Sequence, residues 1–176
     1  EDALYYWKYQ TDSFAATGVF SNYYALPGAR NQLIRRTADG QEQVLLTSDG
    51  TGRLAISDGR IYYQVVPDAD QVLLYSAAED GSDARLLFTG QADFWYGTHI
   101  EQLIVQGEYA YFSYGAKMGT GIVYQGGKIA RARLDGSGGE VLAGWGNTAA
   151  AEFVVNSEGE VTSYAHDDSS LNFIPM

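Results

Sequence analysis

The chain repeats a strand–turn–strand pattern, and this repetition restricts its fold more than any other feature of the sequence. A short apolar run, a tight turn and an aromatic run span residues 54–63, LAISDGRIYY. The same order returns at 103–112, LIVQGEYAYF, and more weakly at 153–164, FVVNSEGEVTSY. The opening Leu4-Tyr5-Tyr6-Trp7 is similar to the second half of the pattern. Self-similarity at a fixed period indicates an array of equivalent structural units.

A second pattern follows each aromatic run and predicts a hairpin. Residues 33–40, LIRRTADG, lead to an apolar run that begins at Val44. Residues 74–81, LYSAAEDG, and 129–136, IARARLDG, each lead to a similar apolar run. Asp-Gly between two extended runs favours a tight turn, because both residues tolerate positive φ angles.

Together the two patterns predict a unit of four antiparallel strands, which we name A to D. Strand A turns into the aromatic strand B, a longer connection leads to C, and the Asp-Gly turn leads to D. Leu54 and Leu103 are 49 positions apart, and Leu103 and Phe153 are 50 apart. A four-stranded unit of about 40–50 residues has the size of a propeller blade. The predicted fold class is therefore all-β and propeller-like, with about three and a half four-stranded antiparallel blades. A plain meander or sandwich is the alternative.

These residues resemble the bacterial propeller repeats of the TolB and YWTD types. The resemblance lies in Asp58-Gly59-Arg60-Ile61-Tyr62-Tyr63 and in residues 74–82, LYSAAEDGS. They are similar to the family's Asp-Gly-x-Ile-Tyr-Tyr, a spacer, and Leu-Tyr-Arg-x-x-x-Asp-Gly. The similarity extends over nearly the whole chain. It implies a bacterial protein that is secreted or held at the cell surface and that binds protein or carbohydrate.

The repeat boundaries predict one repeat-built domain over residues 1–176. Its approximate blades are 1–48, 49–91, 92–145 and 146–176. The first blade begins at strand B, and the last contains A, B and a C strand at Leu171 to Ile174. Propellers of the resembled type usually close with six or more blades, so we expect the chain to be a fragment of a longer protein. In the alternative, the C-terminal strands complete the first blade.

Charge and cysteine content exclude several functions. The 11 basic and 22 acidic residues give a net charge of −11, and a protein this acidic repels nucleic acid and anionic lipid. The chain has no cysteine, which excludes disulfides, thiolate metal sites and cysteine catalysis. No apolar run approaches the roughly 18 residues that span a bilayer, so membrane insertion is not expected.

The strand order predicts where a binding site would lie. Alternating strand directions place the B-to-C and D-to-A connections at one end of each sheet and the short A-to-B and C-to-D turns at the other. The longer connections carry many aromatic residues, and loops on rigid scaffolds concentrate binding residues. Exposed aromatic side chains suit sugar rings or protein hot spots. The candidate ligand-binding residues are Tyr23, Tyr24, Trp95, Tyr96, His99, Lys117, Trp145 and Asn147.

Two groups of aromatic residues have a structural interpretation. The loop aromatics could instead pack between blades and only hold long connections in place. The aromatic residues of the B strands are predicted to form core: Tyr5, Tyr6, Tyr62, Tyr63, Tyr111 and Phe112.

No motif indicates catalysis, a cofactor or a metal site. The acidic stretches Asp68-Ala69-Asp70 and Asp80-Gly81-Ser82-Asp83 are interpreted as turns, because they lack the oxygen spacing of calcium loops. His166-Asp167-Asp168 is interpreted as a solvated turn rather than a set of metal ligands. The leading hypothesis is an extracellular binding or scaffold domain. A carbohydrate-active enzyme, which needs two carboxylates flanking one bond, and a purely structural spacer of a surface protein are the alternatives. Open strand edges would favour a homodimer.

Overall fold

A computed structural model shows a chain of β-strands joined by turns. It describes residues 3–8, 14–17, 22–25, 31–48, 53–65, 71–91, 98–118, 123–144, 152–167 and 172–175. Within these ranges there are sixteen strands in five antiparallel sheets, and no helix. The all-β prediction is confirmed.

The first sheet contains the three strands predicted as B, C and D. Its order is β1-β4-β5, with β1 at Ala3–Lys8, β4 at Asn31–Thr37 and β5 at Glu42–Ser48. Between β1 and β4 the chain forms a separate two-stranded sheet of β2 (Phe14–Thr17) and β3 (Asn22–Ala25). The sequence predicts a loop for this whole connection, and the hairpin corrects that prediction.

The second and third sheets each contain four strands in the predicted order A-B-C-D. The strands of the second sheet are β6 (Leu54–Ser57), β7 (Arg60–Val65), β8 (Gln71–Ala78) and β9 (Arg85–Gln91). The strands of the third sheet are β10 (Thr98–Gln106), β11 (Tyr109–Met118), β12 (Val123–Arg133) and β13 (Gly139–Gly144).

The fourth sheet contains A, B and C strands. They are β14 (Glu152–Val155), β15 (Val161–Asp167) and β16 (Asn172–Pro175). The predicted C strand is confirmed and begins one residue later than expected. In the described ranges β16 pairs with β15 and β1 pairs with β4, so the C-terminal strands do not complete the first sheet there.

The Asp-Gly turns are confirmed at all three predicted C-to-D positions. Gly40, Gly81 and Gly136 have φ angles of 87°, 84° and 78°, a region that glycine enters without a Cβ penalty. In the A-to-B turn of the second sheet, Asp58 and Gly59 both have positive φ. The strand reversals therefore follow directly from local sequence.

Consecutive sheets pack face to face, and the largest cluster joins the second sheet to the third. Its aromatic centre is Phe88 of β9, whose ring centroid lies 5.0 Å from that of Phe112 and 6.0 Å from that of Tyr114. The buried members from both sheets are Tyr62, Val72, Leu74, Leu87, Ile100, Ala110, Phe112, Tyr114, Ala130 and Ala132.

Smaller clusters join the first sheet to the second and the third to the fourth. The buried members of the former are Leu33, Ile61, Tyr63 and Ala77. The buried members of the latter are Tyr111, Ile129 and Phe153. Since each cluster draws on two neighbouring sheets, the sheets stabilise one another in chain order.

The B-strand aromatics form core in the two four-stranded sheets, as predicted. Tyr62, Tyr63, Tyr111 and Phe112 are buried, whereas Tyr5 and Tyr6 are only half-buried. Tyr5 packs against the cluster between the first two sheets. The prediction is wrong for Tyr6, whose hydroxyl donates a 2.6 Å hydrogen bond to the exposed Glu42 carboxylate.

Candidate ligand-binding face

Each four-stranded sheet has two chemically different ends. Leu54, at the start of β6, pairs with Tyr63 near the end of β7, and Gln71, at the start of β8, pairs with Gln91 at the end of β9. The B-to-C and D-to-A connections therefore leave from one end, which we call the loop end. The A-to-B and C-to-D turns lie at the other, the turn end. The arrangement within each sheet is the one predicted.

Two hydrogen bonds tie the second and third sheets together near the loop end. The Gln64 Oε1 atom of β7 accepts a buried 2.7 Å hydrogen bond from the backbone N–H of Ile100 on β10. The Lys128 Nζ atom of β12 donates a 2.9 Å bond to the carbonyl oxygen of Gln91 on β9. These bonds fix the loop ends of neighbouring sheets beside each other.

Four of the eight candidate residues lie on strands. Tyr23 and Tyr24 belong to β3, His99 to β10 and Lys117 to β11, whereas the sequence analysis placed all four in loops. Glycines suggested a loop around Lys117, but β11 and β12 continue through it, with a register irregularity between Tyr114 and Ala116. The candidates Trp95, Tyr96, Trp145 and Asn147 lie outside the described residues.

The backbone brings two of these four positions together and leaves the other two apart. His99 pairs with Gly115, and Lys117 lies two residues further along the same strand, opposite Tyr124. His99 and Lys117 therefore occupy adjacent strands near the loop end of the third sheet. Tyr23 and Tyr24 lie in the β2–β3 hairpin, whose described pairing is internal to that hairpin.

Gln64, one of the residues that link the second sheet to the third, was not predicted from the sequence. It interrupts the apolar and aromatic run from Ile61 to Val65, and this polar position within the run was the available signal. Trp7 and Ser113 occupy the equivalent position on β1 and β11. The Trp7 Nε1 and Ser113 Oγ atoms are buried with no hydrogen-bond partner in the described part of the chain.

Aspartates at the turn end use their carboxylates to hold the turns. Asp80 Oδ1 accepts hydrogen bonds from the Ser82 hydroxyl at 2.6 Å and from the Ser82 N–H at 2.9 Å, and these bonds lower the Asp80 pKa. Asp135 accepts the Ser137 N–H at 2.9 Å, and hydrogen bonds from Ser137 likewise lower its pKa. The turn interpretation of Asp80 is confirmed. Asp68-Ala69-Asp70 lies outside the described residues. The turn interpretation is wrong for His166 and Asp167, which lie on β15 and pair with β16.

Charged side chains at the turn end also pair with one another. Asp83 receives Arg85 at 2.7 Å and Arg60 at 3.0 Å, and hydrogen bonds from these two guanidinium groups lower the Asp83 pKa. On the third sheet Arg131 Nε donates to Glu140 at 2.8 Å. These charged side chains at the turn end are therefore already paired with one another within the fold.

Neither a metal site nor a membrane-spanning helix is found in the described part of the chain. No group of three or more His, Cys, Asp or Glu residues that could hold a metal occurs in the described ranges. Those ranges also contain no helix long and apolar enough to cross a membrane. No protein-family model matches the chain, and no curated protein is significantly similar to it in sequence. The resemblance to TolB and YWTD repeats therefore rests on the motifs alone.

Proposed function

We propose that this protein is an extracellular binding or scaffold domain with propeller-like sheets, and that it recognises protein or carbohydrate at the loop end. The observation that carries the proposal is the asymmetry of the two ends. At the turn end the connections are short, and carboxylates such as Asp80 and Asp83 are bonded within the fold. At the loop end, long connections rich in aromatic residues leave from adjacent sheets.

The ties between sheets support a preformed site. Gln64 and Lys128 each join the second sheet to the third near the loop end. A ligand that contacts connections from both sheets therefore meets a scaffold that is already assembled. Preorganisation of this kind reduces the entropy lost on binding.

Aromatic residues favour sugars or protein surfaces as ligands. Residues 94–96, FWY, lie in one D-to-A connection, and Trp145 lies in the next. Indole and phenol rings offer an apolar face for stacking together with a polar edge that donates hydrogen bonds. The net charge of −11 disfavours polyanionic ligands, so neutral glycans and basic protein surfaces fit best.

A glycan-array screen of the 176-residue chain, followed by fluorescence titration of any bound glycan, tests the proposal. We expect saturable binding that quenches tryptophan emission. Trp95→Ala or Trp145→Ala should weaken binding at least about tenfold, a typical effect of removing an aromatic hot spot. Trp7 packs against the cluster between the first two sheets, so its emission reports folding in either variant.

Ile56→Ala is the matched control. Ile56 is an exposed apolar residue of β6, and it lies next to the A-to-B turn, at the opposite end of the sheet. The control should bind normally. Unfolding of both tryptophan variants would make these residues core and contradict the proposed site. Absence of glycan binding would restrict the proposal to protein ligands, and absence of binding to any basic protein tested would favour the spacer alternative.

A further inference from the structure

One cross-strand pair between strands B and C occurs at the same register in three sheets, but its burial differs. The pair is Ile61–Ala77 in the second sheet, Ala110–Ala132 in the third and Leu4–Arg36 in the first. In the second and third sheets both members are at most 1% exposed, because they pack against the preceding sheet. In the first sheet Leu4 is 60% exposed and Arg36 is exposed as well.

A pair between strands A and B is likewise covered in the inner sheets and exposed in the last sheet of the stack. The pair is Ala55–Tyr62 in the second sheet, Ile104–Tyr111 in the third and Val154–Thr162 in the fourth. In the second and third sheets this pair packs against the following sheet. In the fourth sheet Val154 is 53% exposed and Thr162 is exposed.

The stack therefore has two uncovered faces that correspond to the two sides of its internal interfaces. We call the exposed residues Leu4, Lys8, Arg36 and Glu42 the head face, and the exposed residues Glu152, Val154 and Thr162 the tail face. The uncovered apolar part of the head face lies towards the turn end, since the next pair along, Tyr6–Ile34, is half-buried and buried. Val154–Thr162 likewise lies beside an A-to-B turn.

The two faces are complementary in charge as well as in apolar character. On the head face the Glu42 carboxylate accepts the Tyr6 hydroxyl at 2.6 Å and lies 3.8 Å from the Lys8 ammonium, which leaves Arg36 as the cation outside that ion pair. The tail face carries Glu152. Apolar side chains surrounded by opposite charges on the two faces would steer one face towards the other and disfavour contacts between identical faces.

The position of Glu152 has a polar cross-sheet role in both inner sheets. Its equivalent just before β6, Arg53, forms a 4.0 Å ion pair with Glu101 of the third sheet. Its equivalent on β10, Gln102, donates to the Phe153 carbonyl at 2.8 Å and accepts the Phe153 N–H at 3.1 Å. Arg53 and Glu152 are both exposed and Gln102 is half-buried, but in the described part of the chain no following sheet lies beside Glu152.

We propose that the tail face of one copy of this chain docks on the head face of a second copy, continuing the sheet-on-sheet packing across the molecular boundary. Leu4 and Val154 take the apolar roles that Ile61 and Ile104 have inside the chain, and Glu152 on the tail face is opposite in charge to Arg36 on the head face. Such a head-to-tail contact is heterologous, so it forms a ring if the rotation closes and a filament if it does not. It differs from pairing of free strand edges, which would leave both faces exposed.

Sedimentation velocity of the 176-residue chain and two face variants tests the proposal. The native chain should associate reversibly below about 100 μM, since weak specific interfaces reach micromolar affinity. Leu4→Glu places a carboxylate in the apolar part of the head face, and Val154→Lys places an ammonium in the apolar part of the tail face. Each variant alone should be monomeric at that concentration, while a 1:1 mixture should form a dimer through the intact tail of one and the intact head of the other.

Leu86→Glu is the matched control, because Leu86 is 45% exposed on β9 and lies outside both faces. It should associate like the native chain, and circular dichroism should show native spectra for all three variants. A native chain that stays monomeric overturns the proposal, as does association that persists in both face variants. Loss of association in Leu4→Glu alone would indicate head-to-head contact and overturn the head-to-tail geometry.

Discussion

The inner and outer sheets of this protein share one pattern of strands but differ in what their faces contact. Ile61 on β7 is fully buried against the first sheet, whereas Leu4, at the equivalent position of β1, is 60% exposed. The two side chains are similar in size and apolar character. A residue's contribution to stability therefore depends on whether a neighbouring sheet covers it rather than on its place in the strand pattern, because the repeat unit buries its faces only by stacking.

Truncation of Ile61 and Leu4, the two equivalent residues, should change the free energy of unfolding by very different amounts. Ile61→Ala should lower the free energy of unfolding by about 2–5 kcal/mol, because it leaves a cavity in packed core. Leu4→Ala should change it by no more than about 0.5 kcal/mol in dilute protein. Urea denaturation measures both, and equal losses would contradict the inner–outer distinction.

Two turn glycines extend the comparison to contacts between sheets. A Cβ on Gly81 would lie 2.8 Å from the Leu45 carbonyl oxygen of the first sheet, whereas a Cβ on Gly59 would meet nothing within 4 Å. Both glycines have positive φ, at 84° and 72°. Gly81→Ala and Gly59→Ala should share a backbone cost of about 1–2 kcal/mol. Gly81→Ala should cost about 1–3 kcal/mol more, because the added methyl group overpacks the interface.

The measurement is thermal or urea unfolding of the two glycine variants under identical conditions. If Gly59→Ala proved at least as destabilising as Gly81→Ala, the turn of the second sheet would not pack against β5.

Loss of the hydrogen bond between Gln64 and the Ile100 N–H at the loop end should have a smaller effect on the free energy of unfolding. Gln64→Leu removes the acceptor of the Ile100 N–H and leaves that buried donor unpaired, at a cost of about 1–3 kcal/mol. Gln64→Glu keeps an acceptor oxygen at the same reach and separates the hydrogen bond from side-chain size, although burying its charge adds a cost of its own. Urea midpoints of the two variants check this. A Gln64→Leu variant as stable as the native chain would contradict a stabilising role for this hydrogen bond.

The acid sensitivity of the turn aspartates should have the smallest of these effects on stability. Hydrogen bonds lower the pKa of Asp39, Asp80 and Asp135 in the folded chain. A folded pKa below the unfolded value of about 3.9 gives stability that is present above pH 4 and lost as the pH falls through the folded pKa. The melting temperature should therefore decrease once the pH drops below about 4.

Asparagine variants at the same three positions are the control for acid sensitivity. An amide oxygen still accepts the turn hydrogen bonds but does not titrate in this range. The triple Asn variant should therefore lose less melting temperature than the native chain between pH 5 and pH 3. An identical acid response in both proteins would assign the effect to other carboxylates.

The sequence predicted the features that depend on near neighbours. The Asp-Gly turns, the strand order and the core roles of Tyr62 and Phe112 follow from local φ preferences and alternation, and the structure confirms them. It did not predict the β2–β3 hairpin, because four-residue strands such as Phe14–Thr17 carry too little alternation to be recognised.

Features that depend on distant contacts were also missed. Strands β11 and β12 continue past Gly115 and Gly126, where glycine composition favoured a loop. The partner of Gln64 is 36 residues away in the chain, and no local pattern identifies it. For the candidate site, the strand positions of His99 and Lys117 correct the prediction, while the roles of Trp95 and Trp145 stay predictions.

Consecutive sheets stack with their loop ends side by side, and hydrogen exchange at the Ile100 amide measures this stacking. Its N–H is donated to Gln64 of the preceding sheet at 2.7 Å, a bond that exists only if the two sheets are stacked. We expect slow hydrogen exchange at Ile100 in the native chain and much faster exchange in Gln64→Leu, with Phe112 protected in both. Exchange at Ile100 as fast as in an unfolded chain, while Phe112 stays protected, would contradict the stacking.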